Sequence, residues 1–239
     1  MHNNLSRKPV TKSNILTIEQ MSSTSSPGFS RPEFPDPPRK NDAIFLYGAR
    51  QWKPFVFSYV QEAVEVVYGP ACNPDKEIYS DKCLRDNVAV SLRRSGGGVV
   101  VLSPGMVITI VVGRRFVSQG PALIFSKIHD GMISLLDPDG LLFIQKTGLS
   151  DLAIYGKKIL GSSLYLKRTP DLYFYQSSLM VSPDISLMAR YTTHPLREPS
   201  YRKGRDHEQF CTTLEKEGYN RPADEIAILL SGKLSAYLK

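Results

Sequence analysis

Two short segments of the chain place cations beside glycines, a combination that suits a binding site for an anion. The first, residues 93–98, reads Arg-Arg-Ser-Gly-Gly-Gly and directly follows an apolar run. Successive glycines cost backbone order, so strands and helices rarely contain them unless another molecule must approach the main chain closely. We therefore expect this segment, the glycine loop, to contact an anion through its arginine and its backbone.

The second segment, residues 156–163, reads Gly-Lys-Lys-Ile-Leu-Gly-Ser-Ser. It connects two runs, 152–155 and 163–166, whose residues favour strands, so a tight hairpin is predicted with both lysines at its turn. A cationic head group can project from such a rigid hairpin. The two segments together predict a site for a phosphate and a carboxylate.

The elements that must position these segments follow from residue patterns. Apolar, aromatic and β-branched runs predict strands at 43–47, 55–60, 63–68, 88–92, 99–102, 106–112, 141–145, 152–155, 158–167 and 172–181. The strands 99–102 and 106–112 are predicted to form a central hairpin around the Ser-Pro-Gly of 103–105. The fold class predicted is α/β (α+β), with a mixed and antiparallel sheet flanked by helices.

Three helices complete this pattern. Pro121 begins a helix that the Asp-Pro-Asp-Gly of 137–140 ends, and His129 is expected at the edge of its core face. The Ser-Pro-Asp of 182–184 is expected to cap a short helix through Arg190, with the serine hydroxyl as acceptor. An amphipathic helix is predicted over 222–238. The irregular polar stretch 192–211 is predicted to be a functional or mobile loop.

Composition limits the class of protein. The 239 residues, 41% of them hydrophobic, suit one large domain over 42–239, preceded by a flexible Ser- and Pro-rich tail over 1–41. An organelle-targeting segment is an alternative for the tail, since no acidic residue precedes Glu19. The longest apolar runs are too short to span a bilayer, and three cysteines in no metal-like pair fit a reducing compartment. We therefore expect a cytoplasmic protein without a membrane partner.

The net charge of +7 and the pI near 9.2 invite a nucleic-acid partner. No RNA-binding signature and no paired Cys/His finger accompanies this charge, and much of it is concentrated in the tail and in 190–205. The excess would equally suit an anionic substrate or an acidic partner protein. We expect no nucleic-acid partner.

The order of motifs resembles that of the catalytic domain of lipoate–protein ligase A, in the biotin/lipoate A/B protein ligase family, over roughly 43–238. The matching residues are Arg93, Ser95, Gly96, Gly97, Gly98 and Gly105, then Gly148, Asp151 and Leu152, then Lys158, Gly161, Ser162 and Ser163, and finally Ser200 and Arg202. The chain departs from the family pattern at Leu102, at Ser150 and at Gln176-Ser177, and shows no family-type helix before Ala43.

The resemblance implies a class II biotin/lipoyl ligase-like catalytic domain that uses ATP and Mg²⁺. Lipoate, or a similar medium-chain acid, would be activated as an acyl-adenylate and transferred to a lysine of an acceptor protein. Lys158 would act on the carbonyl and α-phosphate oxygens, and Arg93 with the glycine-loop amides would hold the carboxyl end. Arg202 would lie on a loop over the adenylate. Asp151 would bind the metal, although a turn-capping role is an equal alternative.

Partners follow from the same resemblance. The acceptor is expected to be a small domain that displays one exposed lysine amid acidic residues. A separate accessory ligase subunit is possible, because no large C-terminal accessory domain is expected in the chain. The apolar strand at 107–111 is a candidate wall for the lipoyl tail.

Two other functions remain open. An octanoyl or lipoyl transferase would need an activated thiol near the lysine hairpin, and no cysteine lies between Val111 and Ser178, while Cys72 is distant in sequence. A non-catalytic module that binds lipoyl carriers is the second alternative, with Leu102 and Gln176 as signs of a decayed site. Taken alone, the glycine run could also be a bulge and the basic loop a solvated face.

Overall fold

The computed structural model of the chain describes residues 40–51, 53–115, 120–168 and 171–238. The predicted tail, up to residue 39, and the alternative of a targeting segment lie outside the described residues. The chain divides into two units, with the boundary between Tyr47 and Gly48. Within the part of the chain that the model describes, no helix is long and apolar enough to cross a membrane.

The first described element corrects a prediction. Residues 43–47 were expected as a strand, but they belong to helix α1, Lys40–Gly48. Aromatic and β-branched residues favour strands only weakly, and their context decides. Here Asp42 in the first turn suits a helix N-terminus, and Gly48 is a residue that commonly ends one.

A six-stranded sheet forms the centre of the second unit. Its strands, in chain order, are β1 Phe55–Val60, β5 Met106–Arg114, β6 Ile144–Thr147, β7 Asp151–Ile154, β8 Lys157–Lys167 and β9 Leu172–Met180. Their order across the sheet is β1-β5-β9-β8-β7-β6, and every neighbouring pair is antiparallel. All residues of β5 except its last are buried, as its unbroken apolar sequence predicts.

A second sheet has three strands: β2 Glu65–Tyr68, β3 Ala89–Leu92 and β4 Val100–Leu102, in the order β3-β2-β4. The β2–β3 pair is parallel and the β2–β4 pair antiparallel. The prediction that β4 and β5 form a hairpin is therefore wrong, because they belong to different sheets. Gly105, with φ +85°, accepts hydrogen bonds from the amides of Val181 and Ser182, and this turn carries the chain from one sheet to the other.

The helices of the second unit are α2 Pro74–Glu77, α3 Ser80–Arg85, α4 Pro121–Leu136, α5 Ser186–Tyr191, α6 His207–Phe210 and α7 Ala223–Lys233, which a 3-10 turn, Leu234–Leu238, extends. The predicted helix from Pro121 and the C-terminal helix are confirmed. The predicted cap of α5 is wrong in its acceptor. Asp184 Oδ1, at 2.9 Å from the Ser186 amide, accepts the bond that was assigned to Ser182, because its carboxylate is the stronger acceptor.

The main core lies between the six-stranded sheet and helices α4 and α7. Ile128 and Met132 of α4 pack there with Leu152 and Leu160 of the lysine hairpin and with Leu230 of α7. Burial of these side chains fixes the hairpin against the body of the domain. The strands that carry the predicted lysines are thus core strands.

Candidate functional site

The fold brings the glycine loop and the lysine hairpin together. Ser95 Oγ lies 2.8 Å from Ser163 Oγ, and Gln176 Nε2 donates to Ser95 Oγ at 2.9 Å. Ser95 is fully buried, so this contact is sheltered from water. Two segments that are distant in sequence therefore form one site, and the departure from the family pattern at Gln176 supplies one of its hydrogen bonds.

Arg93 organises the backbone of the glycine loop. Its Nη2 donates to the carbonyls of Gly96 at 2.9 Å and Gly98 at 2.7 Å, and its Nη1 donates to Val67 O at 3.2 Å. The side chain is buried, while Gly96 and Gly98 are exposed. These contacts assign Arg93 a role in holding the loop. That it also holds a ligand carboxyl group stays a prediction.

The glycines leave open space at the surface. No atom of the described residues lies within 4 Å of a Cβ built on Gly96 or on Gly98. Gly97 has φ +98°, which a residue with a side chain adopts only with strain. A ligand can therefore approach the main chain of this loop closely, as the sequence predicts.

Lys158 forms a partly buried ion pair with the candidate metal ligand, Asp151. Its Nζ lies 2.9 Å from Asp151 Oδ1, and the side chains are 24% and 8% exposed. Asp151 Oδ2 accepts a hydrogen bond from Tyr201 at 2.8 Å. Lys158 thus stays partly exposed while a carboxylate holds its amine in place. Both oxygens of Asp151 have protein partners.

Sheet geometry sets the position of Lys158. The hairpin turns at Tyr155 and Gly156, whose φ values of 47° and 73° give the tight turn that the sequence predicts. The pairing of β7 with β8 then shifts between Leu152 and Ala153. A Cβ on Gly161 would lie 2.8 Å from Lys158 Nζ. The lysine therefore folds across Gly161 toward Asp151, and this explains the need for a glycine there.

Ser162 faces the core side of the hairpin. Its Oγ donates to Ser150 O at 2.6 Å and lies 3.2 Å from His129 Nε2. His129 is buried, as predicted for a core residue, and this burial lowers its pKa from 6.5 to about 4. Ser162 and His129 thus link helix α4 to the strand that carries Lys158. Binding of substrate by Ser162 and Ser163 stays a prediction.

The predicted basic loop is fastened to the hairpin. Arg205 Nη2 donates to Gly156 O at 3.0 Å and to Tyr201 O at 2.8 Å. Arg202, only 4% exposed, stacks over Phe210 at 4.8 Å, and its Nε donates to Arg205 O at 2.8 Å. Burial lowers the pKa of Arg202. Its Nη2 has no hydrogen-bond partner among the described residues, which suits a bound anion.

The described residues do not form a ready metal centre. No group of three or more His, Cys, Asp or Glu side chains that could hold a metal occurs in the described ranges. Asp151 already accepts from Lys158 and Tyr201. A role for Asp151 in binding Mg²⁺ stays a prediction, and the observed contacts suit the positioning of Lys158.

Sequence reasoning missed Tyr201 and Cys211. Tyr201 follows Ser200 and precedes Arg202, so the family motif contained it without identifying it. Cys211 forms an isolated parallel bridge with Lys158, and the Thr212 amide donates to Lys158 O at 2.9 Å. Burial raises the pKa of the Cys211 thiol. No sequence signal placed this cysteine beside the lysine, because the contact depends on tertiary packing.

The strand expected to line a lipoyl tail has two faces. Val107 and Val111 belong to the main core, whereas Ile108 packs in a second cluster with Phe210 and Cys211. The second cluster adjoins Lys158 through Cys211. Contact between this strand and a lipoyl tail stays a prediction, for which Ile108 is the best placed residue of the three.

Comparison with protein families gives a match over most of the chain. The model of the lipoyl protein ligase A/B catalytic domain matches residues 43–228. The chain belongs to this family. A comparison with curated proteins found no match.

Solved structures show the same fold in lipoate ligases. A bi-partite lipoate protein ligase from Thermoplasma acidophilum, studied with its E2 lipoyl domain, is 17% identical with a TM-score of 0.67, covering 83% of this chain and 76% of that chain. Lipoate-protein ligase A bound with ATP is 18% identical with a TM-score of 0.66, covering 83% and 78%. P. falciparum LipL1 in complex with lipoate is 16% identical with a TM-score of 0.60, covering 74% and 45%. This chain thus spans less than half the length of LipL1, and at these identities the likeness shows the fold alone.

Proposed function

We propose that the protein is an ATP-dependent ligase that activates lipoate, or a similar medium-chain acid, as an acyl-adenylate and transfers the acyl group to a lysine of an acceptor protein. One observation carries this proposal. The hydrogen bond between Ser95 and Ser163 joins an exposed glycine loop to the strand that bears the Lys158–Asp151 pair. The family membership and the lipoate and ATP complexes of the similar structures support the choice of substrates.

The residues suit the two steps of such a reaction. In the first, a carboxylate oxygen attacks the α-phosphorus of ATP and pyrophosphate leaves. In the second, a lysine amine attacks the acyl carbonyl and AMP leaves. Negative charge develops on phosphoryl and carbonyl oxygens in both steps, and a fixed ammonium such as Lys158 stabilises it.

The remaining groups hold the substrates. The open backbone of the glycine loop and the unpartnered, buried Nη2 of Arg202 fit an anionic nucleotide. Mg²⁺ would neutralise the triphosphate when bound. Both Asp151 oxygens are used within the protein, so nucleotide phosphates and water would supply most of the metal's ligands.

The test is adenylate formation with and without Lys158. Purified protein is incubated with lipoate, Mg²⁺ and labelled ATP, and lipoyl-adenylate and pyrophosphate are followed. We expect Lys158→Ala to lower the rate by about two to three orders of magnitude, as loss of a preorganised charge does. Lys146→Ala is the matched control, since it removes an exposed Lys–Asp ion pair, with Asp130 at 2.6 Å, and should leave the rate unchanged.

Two results would count against this proposal in different ways. Adenylation that survives Lys158→Ala would remove the assigned role of the lysine and leave the reaction class standing. A wild-type protein that never consumes ATP, also when mixed with a candidate accessory subunit, would reject the ligase.

The position of Cys211 favours a second candidate function, acyl transfer between carrier proteins. Cys211 is distant from the lysine hairpin in sequence but lies next to it in the fold, because it forms a β-bridge with Lys158. A thiolate would attack a carrier thioester, the carrier thiol would leave, and an acceptor lysine amine would then displace the enzyme sulfur. Burial that raises the pKa of this thiol makes the ligase the stronger proposal. Incubation with octanoyl carrier followed by intact mass measurement tests it, with Cys211→Ser as the control that should abolish the adduct.

A further inference from the structure

The outer end of the lysine hairpin carries an exposed pair of aromatic rings. Phe143 is 56% exposed and Tyr155 is 73% exposed, yet their ring centroids lie only 5.8 Å apart. Phe143 immediately precedes edge strand β6, and Tyr155 is the first residue of the turn between β7 and β8. These rings therefore pack on each other at the surface and not into the core.

The backbone at both rings is unfavourable for such side chains. Among the described residues, four that are not glycine have positive φ, and three of them are Phe143 at 53°, Tyr155 at 47° and Lys203 at 54°. Large side chains rarely adopt this conformation, and a two-residue turn ending in Gly156 prefers asparagine where Tyr155 stands. Local folding does not explain these residues, so a role at the surface is the better reason for them.

Two exposed lysines lie on the segments that adjoin the aromatic pair. Lys157 follows the turn and is exposed, and Lys203 is exposed on the basic loop that Arg205 fastens to Gly156 O at 3.0 Å. Two acids of the same loop are engaged within the protein: Asp206 caps α6 by accepting from the Gln209 amide at 2.7 Å, and Glu198 accepts from the Gly204 amide at 2.9 Å. The hairpin end thus exposes aromatic rings together with two lysines, a combination that favours a partner with acidic residues.

This surface lies near the proposed chemistry. Asp151 begins β7 and Tyr155 directly follows the end of that strand, so the two residues lie roughly 13 Å apart at the usual rise per residue. Lys158, which pairs with Asp151, is 24% exposed. A small domain seated on the hairpin end could therefore extend a lysine side chain to an acyl-adenylate held at Lys158.

We propose that Phe143, Tyr155, Lys157 and Lys203, together the hairpin-end surface, form the docking site for the acceptor domain, a small domain with acidic residues around its target lysine. This inference rests on the proposed ligase function and deepens it. The aromatic pair provides the buried anchor of the interface, and the lysines steer the acidic domain and set its orientation.

The test separates docking from chemistry. Tyr155→Asn and Phe143→Asn remove the rings while supplying a residue that tolerates positive φ, so both variants should fold. Three quantities are measured: lipoate-dependent exchange of pyrophosphate with ATP, acyl transfer from preformed lipoyl-adenylate to hydroxylamine, and acyl transfer to an unmodified E2 lipoyl domain. Leu84→Asn, at an 83% exposed residue of α3, is the control.

We expect the two ring variants to raise KM for the lipoyl domain about tenfold or more, as loss of an aromatic anchor does. Exchange and hydroxylamine transfer should stay within about twofold of wild type, and Leu84→Asn should resemble wild type throughout. Lys157→Glu with Lys203→Glu should slow association with the domain, with a smaller effect at high salt.

Unchanged transfer to the lipoyl domain in both ring variants would overturn the docking site. Loss of exchange in these variants would also overturn it, since the surface would then serve adenylation or an accessory subunit. If the wild type forms no adenylate, titration of the unmodified lipoyl domain onto each protein still decides. If the wild type binds the lipoyl domain and Tyr155→Asn binds it more weakly, the docking site is supported although the proposed function has failed. If the wild type does not bind the domain, the docking site is rejected.

Discussion

The glycine loop and the lysine hairpin meet in one site but achieve their geometry by opposite means. In the loop the candidate functional atoms are backbone amides, and a buried side chain, Arg93, holds them by donating to the carbonyls of Gly96 and Gly98. In the hairpin the candidate functional atom is the side-chain Nζ of Lys158, and the backbone of a core sheet holds it.

The difference has a physical consequence for substitutions. Hairpin strands are paired on both sides and buried against α4, so small steric changes there should redirect one side chain without disturbing the fold. The loop is exposed and its geometry depends on few hydrogen bonds, so loss of those bonds should disorder it. Substitutions in each region should accordingly affect different kinetic constants, kcat for the hairpin and KM for nucleotide in the loop.

Apart from removal of Lys158 itself, the largest effect is expected at Gly161. A Cβ in Gly161→Ala would lie 2.8 Å from Lys158 Nζ and Cε, so the end of the lysine must shift from its position over the glycine, and we expect its contact with Asp151 to be lost. We expect kcat for adenylation to fall about a hundredfold, as for loss of a preorganised charge, with little change in KM for ATP. Steady-state kinetics of pyrophosphate release measure both constants.

Gly232→Ala is the control for added bulk, because no described atom beyond its chain neighbours and the backbone of α7 lies within 4 Å of its Cβ position. It should stabilise the helix slightly and leave kcat unchanged. A Gly161→Ala enzyme with normal kcat would show that the Lys158–Asp151 contact is not needed for catalysis.

A smaller but broader effect is expected at Arg93. Arg93→Lys keeps the positive charge but cannot reproduce the guanidinium's bonds to several carbonyls. We expect faster amide hydrogen exchange in residues 96–98 and a KM for ATP raised about thirtyfold, equivalent to about 2 kcal/mol. Arg93→Met should behave alike. If lysine restores KM and methionine does not, the charge of Arg93 acts on the ligand and the difference between the two regions disappears.

The strands that sequence predicted correctly are those whose apolar pattern is decided locally. β1, β5 and β9 each bury enough consecutive residues to be recognised, as does helix α4 after Pro121. The hairpin predicted from 99–112 failed for a tertiary reason. A Ser-Pro-Gly turn can reverse the chain direction whether its two flanking strands pair with each other or enter different sheets. The hydrogen bonds that Gly105 O accepts from Val181 and Ser182, which are distant in sequence, accompany the second arrangement.

The candidate site shows the same division. The motif types of Lys158 and the glycines indicated a phosphate and carboxylate site without any structure. The partners that fix them, Tyr201 and Cys211, come from a loop with no periodic pattern, so only the folded chain brings them to Asp151 and Lys158. Residue type predicts chemistry here, and long-range packing supplies its geometry.

Acid should loosen the hairpin through His129. Burial holds the pKa of this residue near 4 although Asp151 attracts its proton, so the folded state keeps it neutral while the unfolded chain protonates below about 6.5. The unfolded state then binds more protons, and stability present above pH 6.5 is lost as the pH falls toward 4. Between pH 6.5 and 5 this amounts to roughly 2 kcal/mol of the free energy of unfolding.

Urea unfolding of the wild type and of His129→Gln at pH 7, 6 and 5 measures this loss. Carboxylates contribute equally to both proteins, so the difference between them isolates His129. The difference in the free energy of unfolding between the wild type and His129→Gln should change by roughly 2 kcal/mol over this pH range. A difference that does not depend on pH would mean that His129 has the same pKa in the folded and the unfolded protein, and that burial does not lower it.

The smallest effect is expected from a comparison of Gly69, which packs against the glycine loop, with Gly98, which lies within it. A Cβ on Gly69 would lie 2.3 Å from Gly97 O and 3.1 Å from Arg93 Nη2, so Gly69→Ala must push the loop outward. We expect KM for ATP to rise a few-fold, about 1 kcal/mol, with a small fall in melting temperature. Gly98→Ala meets no described atom within 4 Å and should keep the melting temperature while its methyl group hinders a ligand on the open side. Equal melting temperatures with KM raised only in Gly98→Ala would mean that the loop adapts freely and that Arg93 does not fix it.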